Sequence, residues 1–184
     1  MTNDEQNLKD LTLAPWIIKA TALIGVQRKV GGNIFRHQMA TLGILLDYKY
    51  YSNSLLLKAA VVHDLIEDIP STNIHELRSV DFEANRVVDL VLEVTRRNCE
   101  PKSDYLKRVL EKGSTNAKIL KVADRISNLT DLNLDVYTES KVSNYLDETE
   151  MFVVPMAREV NADMYKELTD LISIRRKLLH SLGN

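Results

Sequence analysis

Cysteine is nearly absent from the chain. Its single example, Cys99 among 184 residues, excludes a disulfide framework and any cysteine-rich zinc site. One thiol fits a reducing compartment. Glycine and proline are also scarce, 6 and 4 residues, which is few for a protein built of many strands and tight turns. No apolar run approaches a membrane span; the longest, Leu42–Leu46, is a quarter of the roughly 20 residues required. The first residues, MTNDEQNLKD, are polar and mixed in charge, without the apolar centre of a secretory leader. A soluble, cytoplasmic protein is expected. A surplus of one charge is missing too: 24 Lys and Arg stand against 26 Asp and Glu. Gripping bare nucleic acid needs a basic surplus, so that task is disfavoured, whereas a small anionic ligand needs only a locally basic pocket.

What the chain has in abundance is helical periodicity. Apolar residues recur three and four apart along Ile17–Ile24, Leu42–Leu46, Leu56–Val62, Val87–Val94 and Ile119–Ile126. The last segment, Met151 to Leu182, repeats the pattern through Val154, Ala157, Val160, Met164, Leu168, Leu171, Ile172 and Leu178. Breaks fall where turn chemistry places them. Pro15 suits a first helical turn, Gly31-Gly32-Asn33 is a flexible turn, and Ser52-Asn53-Ser54 offers an N-cap. Ile69-Pro70, Glu100-Pro101 and Gly113-Ser114 end three further segments. The reading is one all-α domain over residues 1–184 with about seven to nine helices. Such a chain buries about 70% of its unfolded surface.

Polar chemistry is concentrated at a few points. His63-Asp64-Leu65-Ile66-Glu67-Asp68 follows an almost unbroken apolar helix, so an imidazole and three carboxylates crowd its end. Mutual repulsion and the helix dipole both penalise that crowding, and a divalent cation relieves both. Ordinary surface acids at a fraying end are the plainer alternative. Asp124 lies amid Ile119, Leu120, Val122, Ala123 and Ile126, where an unpaired carboxylate is costly. It calls for a cation, a donor network or a metal, and an ion pair with Arg125 would also serve. Asn128 lies one turn on, on the same face. His37 follows the Gly31-Gly32 turn and by itself reads as a cap or a surface residue.

Taken together, His37, His63-Asp64 and Asp124 in an all-α chain resemble the H…HD…D signature of the HD phosphohydrolase superfamily. The fuller pattern is similar to the hydrolase domain of the Rel/SpoT alarmone enzymes, and most of all to the stand-alone small alarmone hydrolases, including metazoan ones. Arg28-Lys29-Val30-Gly31-Gly32-Asn33-Ile34-Phe35-Arg36-His37 resembles the family's Arg-Lys, glycine turn and ligand histidine. His63–Asp68 resembles its HDxxED, and Val122–Leu129 its LADRLxNL. Val87–Thr95 is similar to the family's helix ending in Val-Thr. The resemblance runs from about Arg28 to Tyr145, leaving residues 146–182 as a helical cap.

The resemblance implies that His37, His63, Asp64 and Asp124 ligate one metal, manganese by similarity. It implies Glu67 and Asp68 as catalytic acids. Arg28 would stack on the purine, Lys29 would meet a phosphate, Asn128 would bind the ribose or base side, and Lys102 and Tyr145 would also contact substrate. The implied activity is hydrolysis of ppGpp or pppGpp at the 3′-pyrophosphate, and 184 residues leave no room for a synthetase half. The implied partner is a small nucleotide, with no nucleic acid and no membrane. The sequence departs from the family at three places: Gln38 stands for a proline, Asn33-Ile34-Phe35-Arg36 for aromatic or proline residues, and Ile69 for a threonine. A 5′-nucleotidase of the HD type and a non-catalytic nucleotide-sensing module are the alternatives.

Overall fold

The computed structural model describes residues 2–133 and 135–182. Among these residues every regular element is helical, and the one β-type pairing is an isolated bridge between Gln27 and Asn33. The chain divides into two compact units, Met1–Arg96 and Arg97–Asn184. No described helix is long and apolar enough to cross a membrane.

The first unit holds α1 (Asn3–Asp10), α2 (Ala14–Ala20) and a 3-10 turn at Thr21–Gly25, then α3 (Ile34–Asp47) and α4 (Ser54–Val62). It ends with α5 (Leu65–Asp68), α6 (Ile74–Leu77) and α7 (Ala84–Val94). Helix α4 is its centre, because every residue from Leu56 to Val62 is buried. It packs against α2, α3 and α7. Asparagines start three helices: Asn33, Asn53 and Asn73 each accept a backbone N–H of the first turn of α3, α4 and α6. Pro15 lies in the first turn of α2. Helix α7 buries Ala84, Val87, Val88, Leu90, Val91 and Val94 on one face and leaves Asp89 in solvent.

The second unit holds α8 (Lys102–Lys112), α9 (Thr115–Thr130) and α10 (Glu139–Glu148), a π-helical turn at Thr149–Val153, α11 (Val154–Val160) and α12 (Ala162–Leu182). Helix α9 is its centre and packs against α8, α11 and α12. Gly113 separates α8 from α9 because a Cβ there would lie 2.5 Å from the Val109 carbonyl oxygen. The Ser114 hydroxyl then caps α9.

Helical segments exceed the seven to nine expected for two reasons. Single turns form at α5 and α6, and the apolar stretch from Met151 to Leu182 is broken rather than continuous. Pro155 opens α11, and Asn161 ends it while its Oδ1 accepts the N–H groups of Asp163 and Met164, both at 3.0 Å, at the start of α12. The basic run near the end of α12 does not serve only its own helix. Arg175 donates to the Leu129 and Thr130 carbonyls at the end of α9, and Arg176 pairs with Asp147 and Glu150.

One buried charge organises the first unit. Lys58, on α4, pairs with Asp81 at 2.8 Å and with Glu83 at 2.7 Å. The Trp16 indole N–H donates to Asp81 and the Ser54 hydroxyl to Glu83. Removing the lysine would leave two enclosed carboxylates facing each other. Lys58→Met is therefore expected to destabilise the protein by about 3 kcal/mol, read from the midpoint of urea unfolding.

Candidate metal centre and active site

His37 is the fourth residue of α3, whose start is fixed by the Asn33 side chain accepting the Arg36 N–H at 2.9 Å. His63 and Asp64 lie between α4 and α5. Here the structure corrects the expectation of one helix running through to Asp68. The His63 Nδ1 bonds the Ala60 carbonyl at 2.9 Å, occupying the acceptor that the Asp64 N–H would use in a continuing helix. The chain turns at His63-Asp64 and resumes as the single turn α5.

This break sets the chemistry. A carbonyl only accepts, so Nδ1 carries a proton, and in the neutral ring Nε2 is left with the lone pair that a metal would use. That Nε2 lies 3.4 Å from Asp64 Oδ2, and His37 Nε2 lies 3.7 Å from the same oxygen. The two imidazoles are buried and stand edge to face, with centroids 5.4 Å apart and planes at 65°. Two imidazole nitrogens and a carboxylate oxygen form the donor set of a borderline or hard divalent ion. His37, His63 and Asp64 thus present the donor types of a metal site.

Asp68 lies close enough to feel all three. Partial burial of its carboxyl, then the Asp64 and Glu67 carboxylates, push its pKa up to about 6, against the opposing pull of His63 and His37. Glu67 turns to the end of α7, where it accepts the Arg96 N–H at 3.2 Å and lies 3.9 Å from the Arg96 guanidinium. Arg28 and Lys29 sit on a tight hairpin. The Ile34 N–H donates to Val26, the Arg28 N–H to Gly32 and the Gly31 N–H to Arg28. Gly31 and Gly32 supply the positive φ that this turn requires.

In the second unit, α9 carries Asp124, buried as its apolar surroundings implied. Its neighbours are donors on its own helix: Lys121 reaches Oδ2 at 2.6 Å and the Asn128 amide donates to Oδ1 at 2.6 Å. Arg125 is not its ion-pair partner. That guanidinium stacks 4.1 Å from the Tyr145 ring and donates to the Thr149 hydroxyl at 2.6 Å. Lys102 lies over the other expected substrate contact, Tyr145, at 4.7 Å, and pairs with Glu148 at 2.5 Å. Burial, with Arg125 and Lys121 nearby, holds the Lys102 pKa below its ordinary value despite Glu148. Burial opposes the charge on Lys121, but Asp124 and Tyr105 outweigh it and raise that pKa. Burial raises the Tyr145 hydroxyl.

Three participants escaped the sequence reading. Lys121 had a usable signal, its i−3 spacing from Asp124. Arg125 was read as a partner of Asp124 rather than of Tyr145. Gln38, which donates to Asp64 Oδ2 at 2.8 Å, had no signal beyond its departure from the family pattern.

No protein-family model matches the chain. Among curated proteins it is 31% identical over 124 residues to the guanosine-3′,5′-bis(diphosphate) 3′-pyrophosphohydrolase MESH1 of Mus musculus, covering 64% of this chain and 67% of that protein. It is 30% identical over 147 residues to MESH1 of Danio rerio, covering 77% and 79%. Among solved structures, a metazoan orthologue of SpoT that hydrolyses ppGpp aligns with a TM-score of 0.76 at 24% identity, over 89% of this chain and 94% of that one. The helical architecture is therefore shared with that orthologue. With two histidines and an aspartate gathered as a metal-binding group, and with this extent of likeness, the chain belongs to the MESH1 family of guanosine-3′,5′-bis(diphosphate) 3′-pyrophosphohydrolases.

Proposed function

We propose that the protein hydrolyses ppGpp or pppGpp at the 3′-pyrophosphate, giving pyrophosphate and GDP or GTP. Its metal would be one divalent ion, manganese the best match, held by His37, His63, Asp64 and Asp124. All 184 residues would act as one HD domain. The observation that carries the reading is the His63 tautomer fixed by Ala60, with Asp64 Oδ2 shared between two Nε2 atoms. The Asp124 carboxylate is buried on α9, and the family resemblance assigns it to the same ion. Family membership supports the substrate.

A bound divalent ion supplies Lewis acidity, polarising a phosphoryl oxygen and lowering the pKa of water. The remaining chemistry belongs to the chain. Water attacks the phosphorus joined to the ribose 3′ oxygen, the P–O3′ bond breaks, and a proton ends on O3′. Asp68, with a pKa near 6, can accept the proton of the attacking water and release it close to neutral pH. Glu67, steadied by Arg96, orients that water. Arg28 stacks on the guanine and Lys29 meets a phosphate. Lys102 and Tyr145 take a further part of the polyphosphate, and Asn128 holds the ribose or base side while it bonds Asp124. Cations around the phosphates offset the charge of a loose phosphoryl transition state.

The direct test is incubation of purified protein with manganese and ppGpp. GDP and pyrophosphate are the expected products. Orthophosphate, or turnover only of nucleoside 5′-monophosphates, would replace this reading with a 5′-nucleotidase, and binding without turnover would replace it with a sensing module. Glu67→Gln with Asp68→Asn should retain the metal and the thermal transition but lower kcat by about 100-fold or more; unchanged kcat would remove both from the chemistry.

The raised Asp68 pKa also has a consequence for stability. The folded state holds this proton more tightly than the unfolded chain, whose carboxyl titrates near 3.8. Its stabilising contribution is complete below that value and is lost as pH rises through about 6. In metal-free protein, Asp68→Asn should flatten this part of the profile of unfolding free energy against pH.

A further inference from the structure

Gln38 follows His37 on α3 and is fully buried, in a position where an apolar side chain would pack at no electrostatic cost. Its Nε2 donates to Asp64 Oδ2 at 2.8 Å, while its Oε1 is enclosed and has no hydrogen-bond partner. A buried amide satisfied on one side only is a net burden on folding. Asp64, for its part, makes no capping bond to α5, so helix geometry does not fix the rotation of its carboxylate. The Gln38 amide supplies that constraint: it holds Oδ2 at the point that both imidazole Nε2 atoms face.

We propose that Gln38 is a positioning residue for the metal, orienting the Asp64 carboxylate by its hydrogen bond and thereby raising metal affinity. This rests on the proposed metal-binding role of His37, His63 and Asp64. Carboxylates that bind metals are themselves commonly fixed by hydrogen bonds, and loss of such a partner typically weakens metal binding 10- to 100-fold. Gln38 acts on the ligand and has no assigned contact with substrate.

The test uses the full chain stripped of metal by a chelator. Manganese affinity is measured by competition with a fluorescent chelator, and Tm is measured with and without manganese. Gln38→Met conserves length and approximate volume while removing the donor and the enclosed carbonyl. It should weaken manganese binding about tenfold or more and leave metal-free Tm unchanged or higher. Thr41→Val, at another fully buried position one turn along α3, should leave manganese affinity unchanged. Should Gln38→Met fail to fold, Gln38→Leu provides the same comparison.

Wild-type affinity in the Gln38 variant would overturn the proposal. So would a loss of affinity that merely accompanies a fall in metal-free Tm, or an equal loss in Thr41→Val, since either marks a packing effect. Failure of the wild-type protein to bind manganese or any other divalent ion would instead overturn the metal reading itself, and this inference with it.

Discussion

Two imidazole Nε2 atoms lie 3.4 and 3.7 Å from a single carboxylate oxygen, an arrangement whose donor types suit a shared divalent ion. The His63 Nδ1–H is committed to the Ala60 carbonyl, which leaves Nε2, 3.4 Å from Asp64 Oδ2, as the ring atom that can serve a metal. Helices α3 and α4 pack together and bring His37 and His63 side by side, buried.

The first unit contains a second charged cluster that shows the contrast. Asp81 and Glu83 also crowd together, yet Lys58 lies between them, and Trp16 and Ser54 complete the hydrogen bonds. That network is satisfied by the chain itself. Among the described residues no lysine or arginine pairs with Asp64. In the second unit Asp124 is intermediate in character: Lys121 and Asn128 each contact one of its oxygens, so it is stabilised and oriented on its own helix. A carboxylate neutralised from within serves the fold. Asp64, facing two imidazoles and holding one amide donor from Gln38, offers its charge to a metal.

Much of this was legible in the residues. Helices followed from the apolar period, and two of their starts from Pro15 and Asn53, because caps are local chemistry that needs no tertiary information. The family motif singled out His37, His63, Asp64 and Asp124 as candidates, and the structure gathers the first three. The break at His63-Asp64 was not legible, since Leu65 and Ile66 continue an acceptable helical pattern. Only the ring's competition for the Ala60 carbonyl interrupts it, and that depends on a rotamer. The long terminal segment misled for a related reason: its apolar period continues across Pro155 and Asn161, although the backbone does not. Gln38 was invisible because a glutamine inside a helix ordinarily points to solvent, and its burial is a property of packing.

The same reasoning bears on α5, which carries both proposed catalytic carboxylates. One helical turn has no stability of its own, because nucleation costs more than its few hydrogen bonds return. Its form therefore comes from outside. Leu65 is buried beneath it, the Thr72 hydroxyl donates to the Leu65 carbonyl at 3.1 Å, and Arg96 holds Glu67 from the end of α7. The family's threonine after HDxxED is replaced by Ile69, and here Thr72 provides a hydroxyl tie to this turn from three residues further on. Glu67 and Asp68 are thus aimed by contacts at Leu65, Thr72 and Arg96. Their spacing in the sequence brings them close, but the burial of Leu65 within the turn and the outside contacts of Thr72 and Arg96 fix the turn that carries them.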